Sequence, residues 1–315
     1  MHRSLVLGLV LWPTIAGAQD PAASRTLGRH RFVPSQIVTD PFIDTWFASV
    51  FAVGLVNGTG PTYGLEMTDG QYTVVQTGQV DLGLVGLDQH FSFQVGVLPW
   101  LAIHAKAGGN LLAASNRPTG LAVGVLVGYD AAVGASFSWV VHPNIRVGGV
   151  FDIELRHSLS LDFLSVIADS IEARDIDTSN LVAESDTTLF HPTVTAAFGL
   201  NDAVGVVLAL RYSKSTVDTQ RLVQRGDTGL IAPGVTFSLD LKPNLALPFS
   251  AGASYEPNIA LDNGNVWHKF TAGLYYSGPR ELFLGAELFF ERVNFDPDIT
   301  ISNKSLQTVL RYSWK

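Results

Sequence analysis

The sequence predicts an all-β fold: a transmembrane, antiparallel, up-and-down β-barrel of about twelve strands, with a short amphipathic helix in one extracellular loop. Three observations carry this reading. Of the 315 residues, 47% are hydrophobic and only 15% charged, against about 25% charged in a soluble domain. Apolar and polar residues alternate with period two along one segment after another, which is the pattern of strands with two unlike faces. Short connections carrying turn residues alternate with long ones. Two rims of different character are what a barrel crossing a membrane needs.

The elements follow in chain order. His2 and Arg3 precede an apolar stretch, Leu5 to Leu11, and Ala16-Gly17-Ala18 supplies small residues where a signal peptidase reads. Residues 1–18 are expected to be a secretory leader cleaved after Ala18. Pro13 and the short apolar stretch argue against an anchor helix. Residues 19–44 form an N-terminal segment, periplasmic or lumenal, and 45–315 form the barrel. Its strands are read as Thr45–Val56, Gln79–Val97, Leu101–Leu112, Ala132–Val141, Ile145–His157, His191–Leu200, Ala203–Lys214, Gly229–Leu241, Leu245–Glu256, Val266–Ser277, Glu281–Val293 and Lys304–Trp314. Gln79–Val97 changes phase near Gly86, from Val80, Leu82 and Leu84 to Leu87, Phe91 and Phe93, which predicts a β-bulge there. Ile145–His157 shows the faces most clearly. Phe151, Ile153 and Leu155 share one side, and Asp152, Glu154 and Arg156 the other.

The short connections, such as Pro143-Asn144, Asn201-Asp202 and Pro243-Asn244, place one rim in the periplasm. The long ones, 57–78, 113–131, 158–190, 215–228, 257–265 and 294–303, are read as extracellular loops. In 158–190, Leu159, Phe163, Ile167 and Ile171 recur every four residues, predicting an amphipathic helix over roughly 160–173. Trp139, Tyr212, Tyr255, Tyr276, Tyr312 and Trp314 sit near strand ends on the apolar face, where aromatic girdles mark membrane interfaces.

The closing segment Ser305-Leu-Gln-Thr-Val-Leu-Arg-Tyr-Ser-Trp314 resembles the terminal strand of Gram-negative outer-membrane β-barrels as a superfamily, although Lys315 follows the aromatic residue. No specific family is marked out. The likeness to fatty-acid-type transporters of hydrophobic compounds is loose, because those have fourteen strands and an N-terminal plug sequence not found here. The resemblance implies an outer-membrane location, outer-membrane lipids as surroundings, and assembly through the barrel-assembly machinery by the C-terminal strand.

Composition excludes several chemistries. With no cysteine there is no disulfide scaffold, thiolate metal site or cysteine nucleophile. A net charge of −8 with scattered Lys and Arg makes a poor nucleic-acid binder. His90, His104 and His191 lack metal-ligand spacing, and no cofactor is expected. His157 and His268 lie at outward positions near the outer rim, with Ser158 and Ser160 near His157, but no Gly-x-Ser-x-Gly elbow surrounds them, so an enzyme is not expected. The candidate lumen residues are Arg146, Asp152, Glu154, Arg156, His191, Arg211, Lys269, Glu287, Glu291 and Arg311. Estimated register puts Thr271 opposite Glu287 and Glu287 close to Arg311, so that Lys269, Glu287, Glu291 and Arg311 share one wall of a constriction. Inward small positions such as Ala209 and Gly285 are read as facing a wet lumen. Together these point to passive passage of an unidentified small solute through a narrow lumen. The alternatives are a non-transporting structural or adhesive barrel and an outer-leaflet lipid-modifying enzyme.

Overall fold

The structure is a computed structural model that describes residues 25–68, 71–115, 122–162, 182–219, 228–279, 281–296 and 299–314. A two-stranded hairpin, β1 (Thr26–Leu27) and β2 (His30–Arg31), precedes the barrel. Twelve strands follow: β3 (Trp46–Thr68), β4 (Gln71–Leu98), β5 (Leu101–Ser115), β6 (Ala122–His142), β7 (Ile145–Asp162), β8 (Val182–Gly199), β9 (Val204–Thr219), β10 (Thr228–Asp240), β11 (Phe249–Ala260), β12 (Val266–Tyr276), β13 (Leu282–Asp296) and β14 (Ile299–Ser313). Each pairs antiparallel with its chain neighbour, and β14 pairs with β3 to close the sheet. Closure is the condition for a sheet to sit in lipid, where an open edge would leave unsatisfied N–H and C=O groups.

The pleat sorts the side chains as the alternation predicts. On β7, Leu155 is 57% exposed and its neighbour Glu154 8%. The exposed band is Leu, Val and Phe, and around the short-turn rim it ends in stacked aromatics: Trp100 with Phe137, Phe137 with Trp139, and Tyr312 with Trp314. Near the other rim Tyr129 stacks on His157, and the rings of Tyr255 and His268 lie parallel. The described residues include no helix long and apolar enough to cross a membrane.

Several expectations need correction. Most of the residues read as long loops are strand. β3 and β4 run on as one hairpin until Thr68 faces Gln71, through 57–68 and 71–78, and β6 begins at Ala122. The apolar pattern stops where the membrane stops, but antiparallel pairing continues into water, so loss of alternation marks the lipid boundary rather than the strand end. The bulge is not near Gly86. Gly54 pairs with Gly86 in unbroken register, Val85 and Leu87 both point outward, and the extra residue, Thr77, lies opposite Thr62 and Tyr63. The strand placed at Leu245–Glu256 starts at Phe249. The chain before it makes a single helical turn, α1 (Lys242–Leu245), with Pro243 in its first turn and Ala246 at a positive φ closing it. Of the helix expected over 160–173, residues 160–162 continue β7. The rest lies outside the described residues.

The segment 25–44 lies inside the barrel and plugs its short-turn end. Gly28 and Arg29 both have positive φ and join β1 to β2 by a two-residue turn. This is the turn that matches strand twist. The plug buries Leu27, Phe32, Val38 and Phe42 against Ala197, Val207 and Ala209. Val33 packs with Val50, Tyr275, Phe283 and Val309 of the opposite wall. Inward glycines make the room. A Cβ at Gly205 would meet Phe32 at 2.5 Å, and one at Gly252 would meet Val33 at 2.7 Å. Ala209 and Gly285 therefore do not face water. Ala209 is part of the plug core, and Gly285 is covered by the Tyr275 ring.

Leu208→Arg or Leu284→Arg, both lipid-facing, should cost about 2–4 kcal/mol near the membrane midplane, measured by denaturant unfolding in lipid vesicles. Ala132→Arg, at an inward position on the cavity, should cost much less, and equal costs would refute the assignment of faces. Gly205→Val should leave the heat-modifiable barrel intact and expose the plug to protease, whereas a protected plug would show that this seat is not required.

Candidate functional site

Above the plug the lumen is a cavity of about 510 Å³, floored by Pro34–Asp40 and Phe42. Strand alternation delivers its charged lining. β7 presents Asp152, Glu154 and Arg156 at successive inward positions. β5 adds His104 and Lys106, β8 His191, β9 Arg211, β11 Glu256, β12 Lys269 and β13 Glu291.

These groups are paired around the wall. Arg156 Nε donates to Glu154 at 2.5 Å, and His191 Nε2 lies 3.4 Å from the other Glu154 oxygen. Arg211 crosses β10 to donate to Glu256 at 2.5 Å and to Asn258 at 3.4 Å. β10 can be crossed because its inward positions there are Ala232 and Gly234, with Pro233 between them. Lys269 faces Glu291 across β12 and β13, 3.6 Å apart, and Lys106 lies 3.5 Å from Asp130. Two Ser–His–carboxylate chains complete the wall. Ser136 lies 3.1 Å from His104 Nδ1, and His104 Nε2 meets Asp152. Ser213 lies 2.7 Å from His191 Nδ1. In each chain one ring nitrogen meets the hydroxyl and the other the carboxylate, so the imidazole bridges the two. Among the described residues no group of three or more His, Asp or Glu is placed to hold a metal ion.

The four-residue wall estimated from sequence does not form. Lys269 and Glu291 meet. Glu287 lies opposite Gly273 and Gln307, not Thr271, and it accepts from the Tyr275 hydroxyl, buried away from the cavity. Arg311 lies opposite Phe283, four positions from Glu287, and is engaged by the plug. Turn geometry sets register, and the connection between β12 and β13 brings Tyr276 opposite Leu284, a shift the Pro279 turn does not reveal in sequence. Arg146 is below the floor, its guanidinium 5.4 Å from the Phe42 ring centre. Asp152, Glu154, Arg156, His191 and Arg211 all reach the cavity. His104, Lys106 and Glu256 also line the cavity and are not among the sequence candidates. The sequence reading missed Asn258 because the strand was ended at Glu256, and it gave Ser136 and Ser213 no role.

The plug is latched by buried charge. Arg25 Nη2 donates to Asp40 at 2.8 Å and to the Val33 carbonyl at 3.3 Å. Arg311 of the last strand donates to both oxygens of Asp44 at 3.3 Å, and Ser313 donates to one of them at 3.2 Å. Gln94 donates to the carbonyls of Phe42 and Asp44. His30 Nε2 lies 3.0 Å from Ser238, whose hydroxyl also accepts the Val33 N–H. Burial alone would raise the Asp40 carboxyl, but Arg25 and then Arg311 outweigh it and hold it below its ordinary value. Burial holds the His30 imidazole below its ordinary value, against smaller opposing effects of the Asp202 carbonyl and Asp240. No sequence signal marks Arg25, Asp40 or Asp44, since the plug has no repeating pattern.

No family model matches the chain, and no curated protein matches it. Among solved structures, the transport unit of the autotransporter AIDA-I from Escherichia coli aligns with a TM-score of 0.54 at 9% identity, over 93% of this chain and 97% of that one. The translocator domain of the autotransporter NalP from Neisseria meningitidis aligns with a TM-score of 0.51 at 11% identity, over 85% of this chain and 88% of that one. The likeness is one of fold: a closed antiparallel β-barrel.

The latch carries a pH dependence of definite sign. Asp40 and His30 hold protons less readily in the docked plug than in a free chain. Docking is therefore fully favoured above the free-chain values, about 6.5 for His and 3.9 for Asp, and weakens as pH falls through and below them. Protection factors of amides in 25–44, each referred to the free-chain exchange rate at the same pH, should fall in two stages on acidification, the His30 stage first, while barrel amides stay protected. A plug equally protected at neutral pH and below about pH 4 would refute this dependence.

Proposed function

We propose that the chain is an outer-membrane channel for small polar solutes, closed at its periplasmic end by the 25–44 plug. The observation that carries this is the polar cavity of about 510 Å³ inside a closed barrel, separated from the short-turn end by one chain segment. Eight-stranded barrels are filled by side chains and sixteen-stranded ones leave an open channel. Twelve strands leave room for a segment the size of the plug and a cavity above it. The plug joins the barrel covalently only through Thr45. Elsewhere it is held by packing and hydrogen bonds, so it can move without breaking the sheet.

The leader over 1–18 directs export, and β14, ending at Trp314, is the strand offered to the assembly machinery. The short turns face the periplasm and the long β3–β4 hairpin faces outside. The Ser–His–carboxylate chains are wall supports rather than catalytic groups. Their serines sit mid-strand, where surrounding N–H groups serve the ladder and are not free to stabilise an oxyanion.

A cysteine lock tests the channel. The Ser35 and Ser254 hydroxyls are 2.9 Å apart and the chain has no cysteine, so S35C/S254C can tie the plug to β11. The reduced protein should conduct in planar bilayers, the oxidised protein should not, and reductant should restore the current. Equal currents in both states would exclude the plug as the gate. Absence of current from the reduced protein and from a variant lacking 25–40 would exclude the channel.

A further inference from the structure

The cavity lining carries five cations, Lys106, Arg156, Arg211, Lys269 and Arg311, and five carboxylates, Asp40, Asp152, Glu154, Glu256 and Glu291. The count is balanced, but the placement is not. The Arg156 side chain is 57% exposed over a Glu154 that is 10% exposed. Arg211 is 23% exposed over Glu256 at 2%, and Lys106 is 42% exposed over Asp130 at 14%. Lys269 and Glu291 are equally exposed. The acids lie against the wall and the cations extend over them into the lumen.

The ion pairing follows the same order. Glu154 has two partners, Arg156 and His191, and Asp130 lies 3.5 Å from Lys106 and 3.4 Å from His90. Arg156 spends only its Nε on Glu154, and its half-exposed side chain lines the cavity with both terminal nitrogens outside that bond. A carboxylate whose lone pairs are already used offers little to a solute. A guanidinium with free N–H groups offers a planar fork that matches a carboxylate or phosphate. In a cavity this narrow, such groups lie within the screening length of about 8 Å from any solute inside it.

We infer that the cavity is a binding site for a small organic oxyanion, a carboxylate or phosphate, gripped by Lys106, Arg156, Arg211 and Lys269. This names the solute class of the proposed channel and rests on that reading for transport, though not for binding. The paired acids behind the cations keep the site from being a fixed excess of positive charge. They hold each cation in place in the empty cavity and let it turn toward an anion that enters.

K106Q/R156Q tests the site, because each abandoned acid keeps a histidine partner, His90 for Asp130 and His191 for Glu154. Folding of the variant is checked by heat modifiability. Citrate titrated into the detergent-solubilised wild type should bind, and the variant should lose roughly tenfold or more in affinity, as expected for losing charge-assisted contacts. Spermidine binding more tightly than citrate, or citrate binding equally to a folded variant, would overturn the inference. In bilayers under a KCl gradient, the reversal potential should lie on the chloride side and move toward zero in the variant; a cation-selective current would also overturn it. Citrate binding with no current in either protein would support the site and count against the channel, so the two readings fail separately.

Discussion

A backbone in lipid has no water to bond with, and nearly everything else in this molecule follows from that constraint. The sheet must close, so β14 must return to β3. Once it is closed, every strand has one face in hydrocarbon and one in the lumen, and all the charge the spanning segments carry is concentrated in a narrow interior. Twelve strands make that interior too wide for wall side chains alone to fill at the short-turn end. The plug fills it with Phe32, Val38 and Phe42, giving a closed barrel with a small dry core below a wet chamber.

The chamber shows how such an interior is made tolerable. An isolated charge in a confined space is costly, and a pair is much less so. Carboxylates here lie within reach of a cation or a histidine, as Glu256 does of Arg211 and Asp152 of His104. Pairing of this kind could have produced an inert wall. What makes the chamber chemically directional is that long basic side chains reach further than short acidic ones, so equal numbers of charges leave the cations nearest the middle.

Much of this was legible in the sequence. The strand number, the strand faces and the short connections follow from alternation and turn residues, and β7 could be assigned residue by residue. Strand ends were not legible on the long-hairpin side, because pairing outlasts the apolar pattern that reveals it, as in β3 and β4. Register was legible to within two residues between β12 and β13, enough to bring Lys269 near Glu291, and only to within four between β13 and β14, which misplaces Arg311. The plug was invisible as structure. Its residues have no period, and its contacts are to inward positions such as Gly205 and Ala209, whose smallness was apparent but reads equally well as open lumen. Depth along the lumen is a property of the whole barrel, and a period-two pattern carries no information about it.

The clasp of Arg311 on Asp44 joins residues 267 positions apart in the chain. The hairpins on either side can form from neighbours, but this contact has no partner until the last strand has arrived beside the first, and long-range contacts of that kind come late in folding. Asp44 lies two residues before β3 and Arg311 on β14, so the contact lies at the seam itself. The final locking of the plug is thereby tied in time to completion of the wall. A nascent barrel with its seam open would lack the clasp that fastens its plug, and a finished one would acquire its sealed state as the last step of its own assembly.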